Sequence, residues 1–169
     1  MQKIINTILE MFEQRGYSDI KQNEEYITAN DTDNNIVRVK LNIIEKLNVA
    51  EINSIIHELQ TDNISHCIVV FEGVPTPTVK NLISTLPDLN LNIELFKSED
   101  LFFNITKHIL VPKHEKINKQ EQIQFKKSFG TNIPILLKSD PISKFYNFKK
   151  GDIIKVTRKN GFISYRIVK

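Results

Sequence analysis

The sequence predicts a mixed α/β (α+β) protein of two modules: an N-terminal α/β sandwich over residues 1–103 and a small α+β module over residues 104–169 that ends in a β-hairpin. Three observations lead there. Strand-like alternation and helical spacing of apolar residues interleave through the first hundred residues. Near the C-terminus, Asn160-Gly161 separates two apolar runs, and this dipeptide tolerates the positive φ of a hairpin turn. The charge divides at the same place. Residues 1–104 hold 8 Lys and Arg against 16 Asp and Glu, a net −8, whereas residues 105–169 hold 15 against 4, a net +11. Such asymmetry argues for two modules that meet different partners.

In chain order, Ile4, Ile5, Ile8, Leu9 and Phe12 fall at helical spacing, and Arg15-Gly16 supplies a basic last turn and a glycine stop. The polar stretch 21–35 has no period and reads as an irregular connection. Val37, Val39, Leu41 and Ile43 then alternate with Arg38, Lys40 and Asn42, the pattern of a half-buried strand. Asn48 can cap a second helix, in which Val49, Ile52, Ile55, Ile56 and Leu59 form one stripe. His66-Cys-Ile-Val-Val-Phe71 is a near-continuous apolar run, as a strand covered on both faces requires. Thr76-Pro-Thr78 marks the next helix start, because Pro77 has the φ of a first helical residue and Thr76 can cap. Pro87 closes that element, and Leu91-Asn-Ile-Glu-Leu-Phe96 alternates as a further strand.

In the second module, Asn118 and Glu121 form a capping-box pattern before a helix that includes Ile123 and Phe129 and stops at Gly130. Asp140-Pro141 repeats the cap-plus-proline start for a short helix with Ile142, Phe145 and Tyr146. The segments 153–156 and 162–167 supply the hairpin strands.

Composition narrows the function classes. An apolar fraction of 40% over 169 residues supports packed cores. No apolar run approaches the roughly 20 residues of a membrane span, and the N-terminus lacks a small-residue cleavage site. One cysteine, Cys67, cannot form an internal disulfide. These features predict an intracellular protein with no membrane association.

Most catalytic chemistry finds no support. His57, His66, His108 and His114 do not show metal-ligand spacing, and His66 and Cys67 are neighbours on one strand and face opposite ways. The apolar surroundings of Cys67 predict an inert buried thiol. No phosphate-cradling glycine motif is present. A nuclease carboxylate cluster is approximated only by Asp88, Glu94 and Lys97, and the Glu94-to-Lys97 spacing puts those two on opposite faces of a strand. No catalytic residue, metal or cofactor is expected. Recognition chemistry remains: the basic half interleaves lysines and arginines with Phe145, Tyr146, Phe148, Phe162 and Tyr165, a footprint suited to nucleic acid or to an acidic protein.

Four blocks of the C-terminal third carry a more specific signal: Asn104-Ile-Thr-Lys-His-Ile-Leu-Val-Pro-Lys-His114, Lys138-Ser-Asp-Pro-Ile-Ser-Lys-Phe-Tyr146, Lys149-Lys-Gly-Asp-Ile-Ile-Lys-Val156 and Tyr165-Arg-Ile-Val168. In this order they resemble the shared fifth subunit of eukaryotic nuclear RNA polymerases, whose C-terminal domain corresponds to a small separate subunit of archaeal polymerases. Weaker similarity continues upstream through Arg15-Gly-Tyr17, Val69-Val-Phe71 and Val74-Pro-Thr-Pro-Thr78 to Lys80. The resemblance implies a jaw domain over 1–103, along the cleft for downstream duplex DNA, and an assembly domain over 104–169, docked on the largest polymerase subunit beside other subunits. Thr76, Pro77, Thr78 and Lys80 match the turn that approaches DNA. His108, Val111, Pro112, His114, Asp140, Pro141, Lys149, Gly151, Tyr165 and Arg166 match the assembly motifs, as scaffold or docking residues. The implied role is non-catalytic.

Two departures stand out: the jaw is shorter than is usual in eukaryotic members, with the loss before Val37, and the hairpin turn is cut to Lys159-Asn-Gly161. A trimmed member of Lys-, Ile- and Asn-rich composition fits a large DNA virus with its own polymerase as well as a cell. The expected location is the nucleus for a cellular member, or the virion or cytoplasmic viral factory for a viral one. The alternative is a free-standing nucleic-acid-binding protein that uses the basic half; a nuclease is the enzyme alternative.

Overall fold

The computed structural model describes every residue except Thr131, and of Asn42 the backbone alone. The chain forms two units, Met1–Phe103 and Asn104–Lys169.

The first unit is built on a mixed five-stranded sheet of β1 (Ser18–Gln22), β2 (Tyr26–Asn30), β3 (Ile36–Ile44), β4 (His66–Phe71) and β5 (Asn92–Lys97), ordered in space as in sequence. The first three pair antiparallel and the last three parallel. Parallel pairing needs crossovers, which α2 (Val49–Thr61) and α3 (Pro77–Thr85) supply. Ile52, Ile55 and Leu59 of α2 and Val79 of α3 share one core with Cys67, Val69 and Phe71 of β4. Val49 and Ile56 pack at its margin. All of β4 is buried, so Ile68 and Val70 are covered on the other face. Helix α1 (Gln2–Gln14) buries Ile4, Ile5, Ile8, Met11 and Phe12, and its C-cap Arg15 binds Glu94 on that second face. A helical layer on each face makes the sandwich.

One connection is not irregular. The stretch 21–35 contains most of a hairpin, β1 with β2, which joins the sheet at its edge. Only Ile27 and Ala29 alternate into the core, and β1 is exposed throughout, so two positions carry the whole period. Polar side chains bend the chain here. Asn23 accepts from the N–H groups of Glu25 and Tyr26, and Asp31 from those of Asp33 and Asn35.

The second unit has a four-stranded sheet of β6 (Lys113–Lys116), β7 (Ile135–Leu136), β8 (Ile153–Thr157) and β9 (Ile163–Val168), in the order β6-β8-β9-β7. Helices α4 (Lys119–Phe129) and α5 (Pro141–Phe145) join them. Leu136, Ile142, Phe148, Ile154, Val156 and Val168 form the core. The terminal hairpin is thus the centre of a sheet, flanked by two short strands with too few residues to show a period. Its turn has a three-residue loop, Lys159 to Gly161. The Gly161 N–H donates to the Arg158 carbonyl at 2.9 Å, Arg158 N–H to the Phe162 carbonyl at 2.9 Å, and only Gly161 takes a positive φ, +81°. A 3-10 turn at Ile105–Lys107 leads into a tight turn in which Val111 N–H donates to the His108 carbonyl.

Candidate assembly and nucleic-acid surfaces

Thr76, Pro77, Thr78 and Lys80 lie together at the exposed start of α3. Gly73, at φ +78°, swings the chain out of β4, where an L side chain would be strained. Thr76 is extended and its Oγ1 accepts from Val79 N–H at 3.3 Å, while Pro77 begins the helix and Val79 is its buried anchor. The Lys80 N–H donates to the Thr76 carbonyl, which closes the first turn. Two hydroxyls, a helix N-terminus and an ammonium one turn on can meet a phosphate.

The C-terminal motif residues serve different local roles. Asp140, Pro141, Lys149 and Gly151 build turns. Asp140 Oδ1 accepts from Ile142 N–H at 2.8 Å and Pro141 starts α5. Lys149 N–H donates to Asp152 Oδ2 at 2.8 Å, its ammonium reaches Asn147 Oδ1, and Gly151 at φ +88° donates to the Val168 carbonyl. His114, Asp140 and Arg166 share one neighbourhood: burial pulls the His114 pKa down, a bond to the Pro112 carbonyl and Asp140 push it up, and Arg166 pushes it down. His114 Nδ1 donates that bond at 2.8 Å. Arg166 Nη1 also lies 3.4 Å from the Ile135 carbonyl. Val111 packs against the core, and His108 is exposed in the preceding turn. Tyr165 stands apart on the opposite side of the sheet, its ring 4.6 Å from that of Phe125.

The nucleophile and carboxylate weighed for catalysis are both committed to the interior. Burial pushes the Cys67 thiol up to about 12, far from a thiolate at neutral pH. Glu94 is held by Arg15 through two bonds, Nη1 to Oε1 at 2.9 Å and Nη2 to Oε2 at 2.8 Å, and by His66 Nε2 at 2.6 Å from Oε1. Burial raises the Glu94 pKa, but the Arg15 guanidinium and the His66 hydrogen bond outweigh it and hold the carboxyl at about 2. Tyr17 adds its hydroxyl 3.4 Å from Arg15 Nη1. This network joins α1 to the sheet, and nothing in the sequence pattern announces it: partners 79 and 28 residues apart leave no local signal. Some apolar residues outside the sequence motifs, Ile123 and Phe129 among them, are also exposed. Among the described residues no three or more His, Cys, Asp or Glu gather as a metal site, and no helix is long and apolar enough to cross a membrane.

Comparison with known proteins adds identity to this geometry. Residues 103–168 match the family model described as RNA polymerase Rpb5, C-terminal domain. The chain is 32% identical over 183 aligned residues, 95% of each chain, to a protein of Invertebrate iridescent virus 6 named "Putative DNA-directed RNA polymerase subunit 454R". It is 30% identical to protein 092R of Invertebrate iridescent virus 3, over 98% of this chain and 99% of that one. A Caenorhabditis elegans protein named as subunit RPABC1 of DNA-directed RNA polymerases I, II and III is 27% identical over 73% of this chain and 61% of its own length. A solved Type ISP restriction-modification enzyme bound to DNA gives a TM-score of 0.43 at 18% identity, covering 85% of this chain and 12% of that one, a likeness too weak to carry an argument. Near-complete alignment to a relative named as a polymerase subunit, with the C-terminal unit matched by its own family model, places this chain in the Rpb5 family of DNA-directed RNA polymerase subunits.

Proposed function

We propose that this chain is a non-catalytic subunit of a multisubunit DNA-directed RNA polymerase. The observation that carries the reading is the 32% identity over 95% of both chains with the iridescent-virus protein named as such a subunit. In this reading residues 104–169 are the assembly domain, docked on the largest subunit, and residues 1–103 are the jaw along downstream duplex DNA. The net +11 of the second half supports an acidic protein partner. The exposed hydroxyls of Thr76 and Thr78 with Lys80 support a phosphate contact by the jaw. Burial of both Cys67 and Glu94 supports a role without chemistry of its own. The viral relatives favour a viral polymerase, at work in the nucleus or in a cytoplasmic factory of the infected cell.

Affinity purification of the tagged chain from its native source tests the reading. Large polymerase subunits are expected in the eluate, lost on deletion of residues 104–169 and retained on deletion of the jaw. Retention after the first deletion would refute it. The second reading, a free nucleic-acid-binding protein, has the basic half in its favour and predicts salt-sensitive, sequence-tolerant binding with no polymerase recovered.

A further inference from the structure

The terminal hairpin ends in a tip that stands clear of its sheet. Strand β6 pairs with β8 as far as Thr157, and β7 pairs with β9 only at Ile167 and Val168, so residues 158–162 have no further strand beside them among the described residues. A Cβ placed on Gly161 would meet nothing within 4 Å. The register that sets Thr157 against Ile163 carries on one step, and there Arg158 N–H donates to the Phe162 carbonyl at 2.9 Å. Arg158 and Phe162 are therefore directly opposed, with side chains on the same side of the ribbon and Cβ atoms about 5 Å apart. Asn160 Oδ1 accepts from Phe162 N–H at 3.1 Å, which ties the loop to the residue that carries the ring.

Phe162 is 59% exposed, and Arg158 and Lys159 are exposed beside it. Neither cation makes an ion pair among the described residues. No carboxylate balances them: residues 153–169 hold five Lys and Arg and no Asp or Glu, and Glu115 on the neighbouring strand is held by Lys113 at 2.7 Å. A flat apolar ring and two unpaired cations thus share one turn.

We propose that the hairpin tip binds single-stranded nucleic acid, with an unpaired base stacked on Phe162 and the flanking phosphates on Arg158 and Lys159. Every base has a face that can stack on an aromatic ring, and cations beside the ring hold the backbone, which is the chemistry of sequence-tolerant single-strand binding. A duplex attracts the same cations but keeps its bases stacked on one another, so the ring gains nothing from it. An acidic protein segment would satisfy the cations alone, because a turn without neighbours has no pocket for an apolar anchor. The inference goes beyond the polymerase reading, in which nucleic acid meets only the N-terminal unit, and it does not need that reading to hold.

Fluorescence anisotropy of the full chain tests it, with labelled oligothymidylate and a labelled duplex of equal length at low salt. The wild type is expected to bind oligothymidylate more tightly than the duplex. Phe162→Ala lowers oligothymidylate affinity about tenfold, the scale of one lost stack, and leaves duplex affinity unchanged. Arg158→Gln with Lys159→Gln weakens both probes and reduces the slope of log affinity against log salt by about 1.4 for the single strand, from two phosphates at roughly 0.7 each. Melting temperatures like that of the wild type show that the variants fold. Should Phe162→Ala melt early, Phe162→Leu keeps the apolar bulk, removes the flat ring and is read in its place. Equal affinity for the two probes, a folded Phe162 variant that binds oligothymidylate as the wild type does, or a salt slope that the double variant leaves unchanged overturns the inference. Failure of the wild type to bind oligothymidylate also overturns it. None of these outcomes touches the recovery of polymerase subunits, on which the proposed function stands.

Discussion

Glu94 has a side chain 10% exposed beside Arg15 at 2%, so neither charge has water to fall back on. Removing one member of such a pair leaves the other buried and uncompensated, at a cost of about 3–5 kcal/mol. Glu94→Gln keeps the shape and removes the charge. It is therefore expected to lower the unfolding free energy at neutral pH by about 3 kcal/mol, read from the urea midpoint. The pH dependence has a definite sign. Glu94 is held at about 2 in the folded chain, well below the ordinary carboxyl value of 4.5, so its stabilisation is present above the unfolded value and lost as pH falls toward 2. The gap between wild type and Glu94→Gln should close over that window. A gap that stays constant from neutral pH to about pH 2 would show that Glu94 contributes packing and no charge.

At the scale of elements, caps were legible and sparsely buried strands were not. Asn48, Thr76, Asn118 and Asp140 each accept from a backbone N–H at the start of the helix they were expected to begin. A cap is a contact within three residues, and its chemistry is written in the chain. Strand β4 was equally plain, since burial on both faces demands an unbroken apolar run. Strands β1, β2, β6 and β7 went unseen because each buries at most two side chains, too few to show a period. The same locality explains the sites. The Thr76 turn could be read in place, whereas the Arg15–Glu94–His66 network and the Phe125–Tyr165 contact exist only once distant strands and helices pack. The capping box of α4 gives an element-scale prediction. Asn118→Ala removes the acceptor for Glu121 N–H, held at 2.8 Å, and should cost about 1 kcal/mol. A lower melting temperature with a loss of helical signal in circular dichroism is the expected result; an unchanged melt would mean that tertiary packing alone fixes α4.

For the whole molecule, the division of charge sets the terms on which DNA can be met. Duplex DNA is bound by cations that displace its counterions, and each phosphate contact steepens the fall of affinity with salt. Residues 1–104, which include the turn that resembles a DNA-approaching one, carry a net −8, and Lys80 stands among 16 carboxylates against 8 cations. The free chain should therefore bind duplex DNA weakly at physiological salt, no tighter than roughly micromolar, the ordinary level of non-specific contact. Binding that emerges at low salt should map to the net +11 of residues 105–169. Fluorescence anisotropy with a labelled duplex separates the halves: Lys127→Glu with Lys155→Glu is expected to lower low-salt affinity and flatten the salt slope, and Lys80→Glu to leave both unchanged. If Lys80→Glu abolishes binding by the free chain, the acidic half grips DNA on its own. The expected outcome instead makes a contact at Thr76, Thr78 and Lys80 depend on the polymerase, whose other subunits would have to supply the affinity and bring the duplex to this turn.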